Sequence, residues 1–309
     1  MSIAMRSPSL LPALLTAALL LSACVTRSVD VRPAPANPAD FLAWDCIRID
    51  DEQDRVQLRA ADLAYAVDER AGNNIMALGL GVAVFWPAIL AMRPAGLEAA
   101  DLARLKGRFE ALQTASRMQG CPALGPELPA TRAAQLPVAV GERLLYEDRS
   151  DARQAAVEWG LRLNALRRDE SEFVVDLGAG QGQEWRQDRA GNVLLAPAGT
   201  LQWQHLLRNE LKLGQVLAGE MHVVGEPQSR ARLRGQVVAL GPQNVADRRF
   251  DVAVIELFGD TQRGEITTRV DGAIVIDRAS GVLLRLDLRS AVAAFNLQRR
   301  LVRVVPAGS

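Results

Sequence analysis

The chain has 309 residues, more than one compact domain usually needs, so two modules are expected. Its 49% apolar and 23% charged residues exclude a collagen-like or wholly disordered protein. The 36 basic residues balance 36 acidic ones, which gives no electrostatic footprint for nucleic acid, and two histidines with three cysteines are too few for most metal cages.

At the N-terminus, Arg6 precedes an apolar run from Leu10 to Leu21, and small residues then lead to Cys24. This is the charged, apolar and small-residue order of a secretory signal. The run of about 12 residues spans roughly 18 Å as helix, too short for a hydrocarbon core of about 30 Å. Leu21-Ser22-Ala23-Cys24 closes the run and resembles the lipobox of bacterial lipoproteins. The resemblance implies cleavage of residues 1–23, diacylglycerol on the Cys24 thiol and usually a further acyl chain on its amine. Two or three chains make a stable membrane anchor where one would not. Val25 follows where an aspartate commonly retains such proteins at the inner membrane, so the resemblance points to the periplasmic leaflet of the outer membrane. Removal of residues 1–23 takes away Arg6 as the only charge, leaving 35 basic against 36 acidic residues and a net charge of −1.

Residues 24–43 contain Arg-Pro-Ala-Pro-Ala-Asn-Pro (32–38) and read as a proline-rich, semi-extended tether. Residues 44–121 read as a helical domain. Val56, Ala60, Leu63 and Val67 form one stripe of an amphipathic helix from Asp51 to Arg70, stopped by Gly72 and Asn73. A second helix runs from about Leu97 to Gln119, with Leu102, Leu105, Phe109 and Leu112 on one face and Lys106 and Glu110 on its wet side. Between them Ile75–Met92 holds 18 residues without charge, the length of a spanning helix. Trp86-Pro87 would kink or break a helix there. A spanning helix, a membrane-dipping hairpin and a buried core segment all remain open for it.

Cys46 and Cys121 bracket this half, and an exported chain enters a compartment where disulfides persist, so the two are expected to pair. Pairing needs Cα atoms within roughly 4.4–6.8 Å. Three segments running up, down and up would leave the cysteines about 30 Å apart. The outer helices must therefore be antiparallel, with the apolar stretch doubling back at the far end. The layout of Cys46, helix, glycine-rich stretch ending in Phe-Trp-Pro (85–87), Leu-Lys-Gly-Arg (105–108) and closing Cys121 resembles uncharacterised small envelope lipoproteins of Gram-negative bacteria. That likeness implies location, not activity.

Pro122, Pro126, Pro129 and Pro137 mark a linker over 122–137, and residues 138–309 read as an antiparallel β domain. Ser171–Leu177, Gly235–Leu240, Phe250–Phe258, Glu265–Val270, Ala273–Asp277 and Val282–Leu288 are strand candidates, with Asp271-Gly272 as a hairpin turn. Arg285, Asp287 and Arg289 alternate with Leu284, Leu286 and Leu288, as on a strand with one wet face. Residues 201–213 read as a short helix or an edge segment. Asp-Arg-Ala-Gly-Asn-Val-Leu-Leu (188–195) is echoed by Asp-Arg-Ala-Ser-Gly-Val-Leu-Leu (277–284), 89 residues later, consistent with a recurring turn or a duplicated half. The fold class is thus α+β: a helical hairpin with an apolar glycine-rich segment, then a half-barrel-like antiparallel sheet. The general likeness is to periplasmic half-barrel modules, some of which hold acyl chains.

Asp176-Leu-Gly-Ala-Gly-Gln-Gly182 matches the D-x-G-x-G-x-G loop of S-adenosylmethionine methyltransferases, but no covering helix and no ribose-binding acid follow. The glycines read better as a turn between strands. His205 and His222 lack the spacing of paired ligands on a helix face, and no nucleophile elbow, Walker loop or C-x-x-C pair occurs. No catalytic, cofactor or metal site is expected. The reading is a non-enzymatic, lipid-anchored envelope lipoprotein, structural or binding in role, attached through acylated Cys24 with possible membrane contact by Ile75–Met92. An envelope protein or an apolar ligand on the β domain is the expected partner. The alternatives are a carrier holding acyl chains against residues 235–289 and an envelope hydrolase.

Overall fold

The computed structural model describes residues 27–70, 97–150, 155–176, 182–263 and 266–308. Cys24 and the stretch Ile75–Met92 therefore lie outside the described residues. The chain is α+β, a helical pair set against a large antiparallel sheet.

Helix α1 spans Cys46–Arg70, starting five residues before the hydrophobic stripe suggests. Asp45 explains the difference: its Oδ1 accepts the Arg48 N–H at 2.7 Å and caps the helix. Helix α2 spans Leu97–Met118. Beyond it Gly120 takes φ +70° while Cys121 N–H reaches back to Ser116 O at 3.0 Å, a left-handed helix end that suits glycine. This turn carries Cys121 to the start of α1, where it forms the disulfide with Cys46 across a Cα–Cα distance of 5.5 Å. The helices are antiparallel, as the pairing demands. Val56, Phe109 and Leu112 meet Phe41 and Ile49 in one small core, and Ala60, Ala64 and Leu102 meet Val31 in another.

The N-terminal segment is more than a spacer. Ala34 N–H donates to Ala103 O at 2.8 Å, and a Cβ on Gly107 would lie 1.7 Å from Ala34 O, so the extended chain presses directly on α2. Lys106, expected on the wet side of α2, is fully buried beneath this segment. Its ammonium donates to Ser28 O at 2.8 Å and Val31 O at 2.9 Å. The i, i+4 pattern misplaced Lys106 because the covering segment comes from more than 70 residues upstream.

The sheet has twelve strands: β1 (Arg143–Arg149), β2 (Val157–Leu166), β3 (Glu170–Asp176), β4 (Gln183–Asp188), β5 (Val193–Leu195), β6 (Leu201–Gln204), β7 (Val216–Val223), β8 (Glu226–Val245), β9 (Arg248–Arg263), β10 (Ile266–Asp277), β11 (Leu283–Ser290) and β12 (Leu297–Val305). Their order in space is β5-β4-β3-β2-β1-β12-β11-β10-β9-β8-β7-β6, an up-and-down meander in which β12 returns to pair with β1. The two edges, β5 and β6, are consecutive in the chain. Side chains bridge them: Gln202 Nε2 donates to Val193 O and Trp203 Nε1 to Gly191 O, both at 2.8 Å. The sheet is thus a nearly closed barrel in which the two edge strands cover one another instead of lying open to another chain. An aromatic series, Tyr146, Trp159, Trp185 and Trp203, runs through the core with successive ring centroids 5.1, 6.1 and 6.4 Å apart.

Alternation on β11 is as expected, with Leu284, Leu286 and Leu288 buried and Arg285 and Arg289 exposed. Asp271-Gly272 is not a hairpin turn but the middle of continuous β10. Glycine is needed there because a Cβ would lie 2.0 Å from Asp287 O on β11. Asp176 ends β3, which pairs antiparallel with β4 starting at Gln183; residues 177–181 of the glycine-rich motif lie outside the described residues. Residues 201–204 form edge strand β6, and no helix follows.

Candidate functional site

In an up-and-down meander, every turn from an even to an odd strand lies at the same end of the barrel. Helix α1 lies against that end. Asp50 pairs with Arg168 at 2.5 Å in the β2–β3 turn, and Asp54 pairs with Arg132 at 2.9 Å on the single-turn helix α3 (Ala130–Ala133). Asp62 accepts backbone N–H groups from Asn209 (3.0 Å) and Glu210 (2.8 Å) in the β6–β7 connection. Tyr65 Oη donates to Ala218 O at 3.1 Å, and Arg208 sits 3.3 Å over the Tyr65 ring. The junction is polar and charged, unlike either core.

The two echoed segments meet here. Each is the turn that follows an even strand, β4 or β10. Gly191 at φ +97° and Gly281 at φ +70° are packed backbone to backbone, such that a Cβ on Gly191 would lie 2.4 Å from Gly281 O. In each turn the leading aspartate ties the loop. Asp188 Oδ1 accepts Asn192 N–H at 2.8 Å, and Asp277 Oδ2 accepts Ser280 N–H at 2.8 Å. The arginine that follows each aspartate donates its N–H to the carbonyl of an aspartate on the neighbouring hairpin: Arg189 to Asp169 in the β2–β3 turn at 3.0 Å, Arg278 to Asp251 near the start of β9 at 2.7 Å. The likeness of the two octapeptides is therefore structural as well as textual.

Beside these turns lies a cleft of about 400 Å³, walled by Arg189 and Arg278 from the barrel, Arg55 from α1 and Arg132 from α3. Asp51, Gln135 and Asn209 add polar groups, and Leu58, Leu136 and Ala279 an apolar side. Burial pushes the Asp54 carboxyl upwards, opposed chiefly by Arg132 and then by Arg189. Burial also raises Asp62, Asp169 and Asp188, each to about 6. His205 and His222 are both pushed down, by burial first. Among the described residues no group of three or more His, Cys, Asp or Glu side chains is placed to hold a metal ion, and no helix is long and apolar enough to cross a membrane.

Of the residues singled out in the sequence, Cys46 and Cys121 come together at the end of the helical pair. The strand positions expected to line an acyl-chain pocket, among them Val237, Leu257, Leu286 and Leu288, pack into one continuous core with Trp185 and Trp203. Arg55, Arg132, Arg189 and Arg278 were not anticipated as a group. For Arg189 and Arg278 the signal was present in the echoed Asp-Arg-Ala. For Arg55 and Arg132 none was, because helix docking alone brings them there.

No protein-family model matches the chain, and no curated protein matches its sequence. Two solved structures are similar in part. An exported protein with a YmcC-like fold from Bacteroides fragilis NCTC 9343 matches at 11% identity and TM-score 0.34, over 55% of this chain and 98% of that one. The hypothetical lipoprotein YmcC from Escherichia coli K12 matches at 12% identity and TM-score 0.34, over 57% of this chain and 88% of that one. No conclusion about this chain rests on likenesses of this extent.

Proposed function

We propose that the chain is a lipid-anchored lipoprotein of the bacterial cell envelope, acting as a non-enzymatic binding module, with Cys24 as the acylated first residue of the mature protein. The observation that carries this reading is the Cys46–Cys121 disulfide, since such bonds persist where exported chains go and a lipobox sequence precedes it. Val25 favours the outer membrane, periplasmic side. The buried N-terminal segment gives the anchor a geometric consequence. Four residue steps separate Cys24 from Ser28, at most about 14 Å of extended chain. Ser28 is itself held: its N–H and Oγ donate to Asp68 at 3.2 and 3.1 Å, and its carbonyl to Lys106 is the acceptor described above. Acyl chains on Cys24 would thus hold the C-terminal end of α1 close to the bilayer instead of on a long leash.

Metabolic labelling with palmitate tests the reading. The wild-type chain should take up label and Cys24→Ser should not. Label absent from the wild type, or equal in both, would overturn it.

A further inference from the structure

We propose that the cleft between α1 and the paired Asp-Arg-Ala turns is a binding site for an oxyanion, a phosphate or carboxylate group carried by a small ligand. The inference does not depend on acylation at Cys24. Its centre is Arg189, which is 4% exposed, lines the cleft, and has no hydrogen-bond partner for Nε or Nη1. A guanidinium keeps its charge, so it cannot escape burial by losing a proton. A buried charged donor left without an acceptor is costly, and native proteins retain few of them. The nearby carboxylates do not supply the missing bonds. Asp54 Oδ2 forms an ion pair with Arg132 at 2.9 Å but no hydrogen bond, so it offsets part of the Arg189 charge without bonding to it, and Asp169 meets Arg189 through its backbone carbonyl and the Arg189 N–H.

The other walls suit the same ligand. Arg278, from the equivalent turn, is only loosely paired with Asp251 at 3.6 Å. Arg55 and Arg132 each hold one carboxylate, Glu52 and Asp54, and present further N–H groups. Four arginines thus face a single lining carboxylate, Asp51, whose Oδ1 already accepts from Thr131 Oγ1 at 2.8 Å. Guanidinium forks match the planar, multidentate geometry of carboxylate and phosphate oxygens better than ammonium groups do. The apolar side formed by Leu58, Leu136 and Ala279 leaves room for a short uncharged portion of the ligand. Because Gly191 and Gly281 lock the two turns together, Arg189 and Arg278 come from one rigid unit, and the site is preorganised on the barrel.

The test is calorimetric titration of the full chain, in nonionic detergent at low salt, with inorganic phosphate and separately with acetate. The expected result is saturable 1:1 binding of at least one of them, weakened at least tenfold in Arg189→Gln and in Arg278→Gln. Arg269→Gln, a change at an exposed arginine on β10, should bind as the wild type does. Arg278 is partly exposed, so Arg278→Gln decides the matter if Arg189→Gln fails to fold by circular dichroism. Phosphatidylglycerol added to the micelles distinguishes the source: displacement of the bound anion identifies a lipid headgroup, and retention a soluble ligand. Absence of saturable binding, or binding unchanged in the folded variants, would overturn the proposal.

Discussion

The barrel core and the junction between barrel and α1 are built on opposite principles. The core is continuous, apolar and aromatic, and its Trp203 indole N–H closes the seam between the edge strands. The junction holds carboxylates raised by burial and a guanidinium with unpartnered nitrogens. Apolar burial of the first kind stabilises a fold, and the donors it leaves without partners, the Trp159 and Trp185 indole N–H groups, carry no charge. Charge burial of the second kind is poor evidence for stability, and it places groups where a ligand or a proton can engage them. Stability therefore resides in the barrel, and responsiveness where the helix meets it.

That contrast is open to attack at several points. The largest effect is expected in the core, where Trp203→Ala should lower stability by about 3–5 kcal/mol, read from a urea unfolding curve. A loss under 1 kcal/mol would mean the seam is not closed by this residue. Next, Gly281→Ala places a methyl group 2.7 Å from Gly191 N at a φ of +70°. It should cost about 1–3 kcal/mol. Gly199→Ala, at φ +79° with nothing within 4 Å, should carry the left-handed penalty alone, about 1 kcal/mol. Equal losses in the two variants would separate the turns from one another.

Smaller still is the effect of Lys106→Met, which removes both hydrogen bonds that clamp the N-terminal segment. Hydrogen exchange at the Ala34 amide should accelerate about fivefold, the equivalent of about 1 kcal/mol, while barrel amides keep their protection. Unchanged exchange at Ala34 would show that the Ala34–Ala103 hydrogen bond and the Gly107 contact hold the segment without Lys106. The smallest effect is pH-dependent. Asp62 and Asp188 are held near 6, above the ordinary carboxylate value of 3.8. At these two carboxyls the folded state binds more protons than the unfolded one between pH 4 and 6, so their contribution to stability rises as pH falls through that window, while His205 and His222, pushed down by burial, act the other way. Thermal unfolding should show the rise in the wild type, on the order of 1 kcal/mol per group after solvent screening, and a reduced rise in Asp62→Asn. A rise of equal size in that variant would remove Asp62 from the account.

The regular parts of this fold were legible because their signals are local. Val56, Ala60 and Val67 mark the buried face of α1, and Leu284, Leu286 and Leu288 the buried face of β11, because a period read over a few turns or residues reports one neighbour. Lys106 was misread for the opposite reason: its environment is set by Ser28 and Val31, and no helical period reports a covering segment. Asp271-Gly272 satisfied a local turn rule, but the approach of Asp287 on the neighbouring strand decided that glycine. The paired turns fall between these cases. Their octapeptides could be seen to match, yet only the meander, which sets β4–β5 and β10–β11 at one barrel end, puts Arg189 beside Arg278.

Intact-mass spectrometry of the native product tests the central claim most directly. An envelope lipoprotein predicts a mature chain that starts at Cys24, carries diacylglycerol on that sulfur, and contains one internal disulfide. A mass matching the unmodified polypeptide from Met1, with Cys46 and Cys121 reduced, would contradict it.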